Sequence, residues 1–132
     1  MGRLVRLLPA VLAAASFGAC SDDERPAATA SPDTTRLTVE VTGAGRPVVV
    51  ELRCGGATPC ERSKLDRLAR VAEPADPARA CTEIYGGPEK AHMTGTLDGE
   101  PVDVTIRRSD GCGIADYDRL FEALGRKPPL AR

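Results

Sequence analysis

The chain has no tryptophan, two phenylalanines, two tyrosines and one histidine among 132 residues. So few large rings cannot fill the core of a small domain, so the fold needs a further source of stability. The single histidine, His92, lies inside an alternating, strand-like stretch with no nucleophile close to it in sequence. That leaves nothing from which to assemble a Ser-His-Asp site. No Cys-x-x-Cys is present, and the last four cysteines are separated by 5, 20 and 30 residues, which excludes the usual zinc spacings. Gly55-Gly56 and Gly86-Gly87 lack both the spacing and the following lysine of a phosphate loop. An enzyme is therefore not expected, and neither is a metal or a cofactor.

Long apolar runs are also missing. The longest, residues 7–19, is 13 residues, too short for a membrane-spanning helix but suited to a signal segment behind Arg3 and Arg6. It ends in Phe17-Gly18-Ala19-Cys20, which resembles a bacterial lipobox, with Cys20 as the lipidated first mature residue. Cleavage after Ala15 is the alternative. Residues 1–19 are thus read as a lipoprotein-type signal peptide. Residues 21–35 hold no large apolar side chain and cannot offset the entropy of ordering, so residues 20–35 are read as a flexible tether. One lipid on a tether places the folded part outside the cytoplasm, on the outer face of the membrane. Removing Arg3 and Arg6 takes the formal net charge from −1 to −3, which argues against a nucleic-acid partner.

The folded part should span residues 36–126, with a frayed tail at 127–132 that opens on Lys127-Pro128-Pro129. Leu37, Val39 and Val41 alternate with polar residues, and Gly43-Ala44-Gly45 turns the chain into a valine-rich strand over 47–53. Residues 93–97 and 102–107 flank Asp98-Gly99, a strong hairpin signal. An antiparallel sheet of about five strands, polar on one face, is expected. Thr58-Pro59-Cys60-Glu61 reads as a capping box opening a helix that carries Leu65, Leu68, Ala69 and Ala72 and stops at Pro74. A second helix over 116–124 aligns Tyr117, Leu120, Phe121 and Leu124, with Gly125 as its stop. Two helices on one face of the sheet make an α+β domain in two layers.

Assigning Cys20 to lipid leaves an even set, Cys54, Cys60, Cys81 and Cys112, and two disulfides supply the stability the aromatics do not. Cys54 and Cys60 bracket a tight Gly55-Gly56 turn, which favours pairing them and joining Cys81 to Cys112. The two other pairings stay open. On chain entropy the larger ring would contribute about 3–4 kcal/mol and the smaller about 2 kcal/mol.

The stretch Cys81-Thr82-Glu83-Ile84-Tyr85, a Gly86-Gly87-Pro88 turn, two strands punctuated by Gly95 and Gly99, and a closing Cys112 resemble the subtilisin-inhibitor-like family of bacterial serine protease inhibitors. The resemblance spans roughly residues 37–120 and is sharpest over 81–112. It implies a reactive loop starting just after Cys81, with Glu83 at the primary specificity position and the bond between Glu83 and Ile84 offered for cleavage. Cys81 and Thr82 would lie on the acyl side, Tyr85 and Gly86 on the leaving side. It further implies a serine endopeptidase partner, subtilisin-like or glutamyl-specific, and a homodimer formed through the sheet. The family places an asparagine two residues before its last cysteine, where the amide donates to the loop. Asp110 stands there, and an ionised carboxylate has no donor. The alternative reading is a non-inhibitory envelope lipoprotein, a binding or structural module on the same fold.

Overall fold

The computed structural model describes residues 34–132. The expected signal segment, Cys20 and the tether up to residue 33 lie outside the described residues. Four strands and two helices follow in the order β1 (Thr35–Thr42), β2 (Val48–Cys54), α1 (Arg62–Ala72), β3 (Lys90–Leu97), β4 (Glu100–Arg107) and α2 (Gly111–Leu124). The strands form one antiparallel sheet in the order β2-β1-β3-β4, so the fold is α+β with four strands, not about five.

Alternation decides the two faces. Leu37, Val39 and Val41 of β1, Val50 of β2, Ala91, Met93 and Leu97 of β3, and Ile106 of β4 point inward. Their neighbours Thr38, Glu40, Glu51, His92, Asp103 and Thr105 are exposed on the other face. The helices close the inner face with Leu65, Leu68 and Val71 from α1 and Tyr117, Leu120, Phe121 and Ala123 from α2. Tyr117 and Phe121 stack along α2 at the i, i+4 spacing, ring centroids 5.0 Å apart, and supply the bulk of aromatic packing. Between β3 and β4, Asp98 and Gly99 both take positive φ (52° and 83°), the pattern that a two-residue hairpin turn demands.

Several boundaries differ from the sequence reading. Strand β1 already begins at Thr35, which is fully buried and whose Oγ1 accepts from the Asp98 N–H at 2.9 Å. Thr58 does not cap α1. It forms an isolated antiparallel bridge with Gly55, closed by the Cys54–Cys60 disulfide, and this leaves Pro59 outside the helix. Helix α1 starts after Glu61, without a side-chain cap, and buries Val71 where Ala69 was expected inside. Helix α2 starts at Gly111, five residues ahead of the expected Asp116. Two glycines in its first turn lower helix propensity, but Asp110 caps it by accepting from the Gly113 N–H at 2.8 Å. The tail expected to fray is instead tied down: the Tyr117 hydroxyl donates to the Pro129 carbonyl at 2.7 Å, and the Ala131 N–H donates to Glu89 at 2.6 Å. Both expected disulfides form, Cys54–Cys60 and Cys81–Cys112, with Cα atoms 5.1 and 5.3 Å apart.

Candidate functional site: the clamped segment after Cys81

Between α1 and β3 the chain runs through residues 73–88 without regular structure, and residues 73–85 are exposed throughout. Three prolines (Pro74, Pro77 and Pro88) discourage helix here, and each removes a donor that a ladder would need. The backbone of this segment is instead spent on point attachments. Ahead of Cys81, the Arg79 guanidinium donates to both carboxylate oxygens of Asp116 on α2, at 2.8 and 3.3 Å. That contact raises the already high pKa of Arg79, through the hydrogen bond and the charge of Asp116.

From Cys81 onward the segment is held at two points, one on each side of a three-residue gap. On the first side the Cys81–Cys112 disulfide joins it to the first turn of α2, and the Gly111 N–H donates to the Thr82 carbonyl at 2.9 Å. Gly111 lies against the Thr82 hydroxyl so closely that a Cβ there would overlap it. On the far side the Gly86 N–H donates to the Arg108 carbonyl at 2.8 Å, in the turn between β4 and α2. A Cβ on Gly86 would run into the Ile114 side chain, so only glycine lets the backbone seat at this depth. Both attachments therefore converge on residues 108–114, where β4 ends and α2 begins.

Between the two attachments Glu83, Ile84 and Tyr85 stand free. Among the described residues no hydrogen bond reaches any of the three. Ile84 is 60% and Tyr85 68% exposed, two of the four exposed large apolar side chains among the described residues. Beside the first attachment an open groove of about 460 Å³ is lined by charges of both signs, including Arg70, Glu73, Asp76, Arg79 and Arg107.

The structure thus brings Cys81, Thr82, Gly86 and Cys112 of the predicted site together and projects Glu83, Ile84 and Tyr85 from them. Asp110 lies at the base of this arrangement but, among the described residues, makes no hydrogen bond to Glu83, Ile84 or Tyr85. Its carboxylate is engaged by the Gly113 N–H, and the donor to the segment is the backbone of the next residue, Gly111. The Asp110 carboxylate also lies close to both sulfurs of Cys81 and Cys112, but these are bonded to each other and offer a metal no thiolate. Cys54 and Cys60 close their own ring at the end of β2, against the core. His92 pairs with Asp103 at 2.7 Å on the open face of the sheet, a contact between neighbouring strands that the sequence reading did not anticipate.

Sequence reasoning missed Gly111, Arg108, Ile114 and Glu89. Gly111 and Arg108 act through backbone groups, for which side-chain pattern carries no signal. Glu89 is a charged residue at 2% exposure, and nothing in its neighbourhood in sequence announces a partner. No family model, curated protein or solved structure matches the chain.

Proposed function

We propose that the domain inhibits serine endopeptidases in the manner of the subtilisin-inhibitor-like family, held outside the cell by lipid on Cys20 and offering the bond between Glu83 and Ile84. One observation carries the reading: an exposed three-residue stretch, Glu83 to Tyr85, fastened on both sides to the same turn of the scaffold. A protease cleft takes an extended segment, and a segment already fixed at both ends loses little conformational freedom on docking. If the bond is attacked, Thr82 stays tied to Gly111 and Gly86 to Arg108. The new amine at Ile84 therefore remains near the acyl-enzyme, and resealing competes with hydrolysis. The exposed carboxylate of Glu83 fits a specificity pocket that carries positive charge, hence a glutamyl-specific endopeptidase. A subtilisin would take the same backbone with a poorer fit at Glu83.

The second reading, a non-inhibitory binding module of the envelope, draws on the lack, among the described residues, of any hydrogen bond to Glu83, Ile84 and Tyr85. The Asp110 carboxylate, spent on capping α2, gives them no support. Incubation of the mature domain with a glutamyl endopeptidase and with a subtilisin separates the two. Stoichiometric inhibition with slow cleavage supports the inhibitor. Rapid, complete cleavage between Glu83 and Ile84 without inhibition overturns it. In an active inhibitor, Glu83→Met shifts potency toward subtilisins, and an unchanged ratio would mean that another segment makes the contact. Cys20→Ala should release the protein from the membrane fraction.

A further inference from the structure

The far attachment of the exposed segment rests on a buried ion pair. Glu89, at the entrance to β3, is 2% exposed, and the side chain of Arg108, whose carbonyl holds Gly86, is 12% exposed. The Arg108 Nη1 donates to one Glu89 oxygen at 3.1 Å, and the Ala131 N–H donates to the other at 2.6 Å. The Arg108 guanidinium lies 5.5 Å from the centre of the Tyr117 ring, and the Tyr117 hydroxyl donates to Pro129 at 2.7 Å. Arg108 Nε is buried without a hydrogen-bond partner among the described residues, so the guanidinium keeps its place through Glu89 and the tyrosine face. Directly above, Gly87 packs against the Glu89 carboxylate, with φ of +136° and no room for a Cβ. Residues 86 and 87 therefore sit against Glu89 and Arg108, and residues 129–131 bond to Glu89 itself and to Tyr117, the ring beneath Arg108.

We infer that residues 129–131 are a strap that positions the Gly86 side of the exposed segment by completing the buried Glu89–Arg108 pair. Among the described residues no hydrogen bond joins residues 129–131 to Glu83 or Ile84. The strap acts by satisfying the Glu89 oxygen that Arg108 leaves open and by anchoring the ring on which Arg108 rests. Without the Ala131 donor, the buried carboxylate loses one of its donors, and the side chain must move outward or take up a proton. Either change weakens its hold on Arg108 and removes the surface under Gly87. In the inhibitor this side holds the leaving amine, so loss of the strap turns a slowly cut inhibitor into a faster cut substrate. That consequence rests on the function proposed above, whereas the positioning itself does not.

The test removes one tie at a time in the intact chain: Ala131→Pro deletes the N–H that Glu89 accepts, and Tyr117→Phe deletes the donor to Pro129. Amide hydrogen exchange of Gly86 is read against that of Met93 in the sheet, with no protease present. The strap predicts at least a tenfold loss of Gly86 protection relative to Met93 in either variant. Unchanged Gly86 protection, or parallel loss at both amides, would show that the tail contributes only to general stability and would overturn the inference. A second arm measures cleavage between Glu83 and Ile84 by a glutamyl endopeptidase. If the unaltered domain is cleaved without inhibiting, the inhibitor reading falls, and the exchange result still decides the strap.

Discussion

Breaking the Cys81–Cys112 bond should destabilise the domain more than breaking Cys54–Cys60, and the difference can be worked from ring size. The sequence separations are 31 and 6 residues. The loop-entropy relation then gives about 3.7 kcal/mol for the larger ring and about 2.2 kcal/mol for the smaller at 25 °C. Cys81 is exposed, so its replacement by alanine leaves no cavity there, and the larger figure is mostly a chain-entropy effect. Cys54 and Cys60 pack partly against the core, so their removal also loses contacts and narrows the gap between the two variants. For a domain of this size a loss of 3.7 kcal/mol lowers Tm by roughly 15–30 °C. The assay is denaturant unfolding of C81A/C112A, of C54A/C60A and of the parent under non-reducing conditions, with the midpoint slope compared to exclude a change in compactness. A loss below about 1.5 kcal/mol for C81A/C112A would refute the reasoning. It would mean that the Gly111–Thr82 and Gly86–Arg108 hydrogen bonds already confine the segment, or that the unfolded chain is compact enough to make the bond redundant.

Gly86→Ala forces a methyl into Ile114 and should cost about 1–3 kcal/mol, as overpacking does. In an Ile114→Ala background most of that cost should vanish, and a double-mutant cycle by thermal unfolding checks it; additive losses would place the clash elsewhere. Asp110→Ala removes the α2 cap and should lower stability by about 1 kcal/mol, while Asp110→Asn should retain most of it. Burial alone would raise the pKa of Glu89, but donors from Ala131, its own backbone and Arg108, together with the charge of Arg108, outweigh it and leave the value below the ordinary glutamate range. Its contribution to stability is therefore full above the unfolded-state pKa and is lost as pH falls through the depressed folded value. Equilibrium unfolding measured from pH 7 downward should show that loss. Its slope should flatten in Glu89→Gln, and an identical slope in the variant would exclude Glu89 as the source.

What the sequence could announce was whatever has a local period. The β1 alternation, the Asp98-Gly99 turn and the cysteine rings each sit within a few residues or depend on simple parity, and each is present in the fold. The start of α2 was hidden because Gly111 and Gly113 argue against helix, while the cap and disulfide that outweigh them act through tertiary geometry. Thr58-Pro59 mimicked a helix start because a capping box and a turn share the same residues. Only the closure of Cys54 onto Cys60 selects the turn. The buried Glu89 was illegible for a different reason. Its partners lie 19 and 42 residues away, beyond any periodic pattern, and one of them is a backbone N–H. The exposed segment was legible as exposed and its Cys81–Cys112 anchor as a disulfide, but its hydrogen-bonded fastening was not, because that uses main-chain groups.

That fastening has a consequence for what the segment can become. Every polar tie on it between Thr82 and Gly86 is made by peptide groups, those of Thr82, Gly86, Arg108 and Gly111. Among the described residues the side chains of Glu83, Ile84 and Tyr85 contribute no hydrogen bond to the fold, so drift at these three positions is nearly free of structural penalty. The domain behaves as a holder with an exchangeable three-letter tip. A lineage, or a combinatorial library, could rewrite that tip to meet a new partner while every residue of the holder stays unchanged.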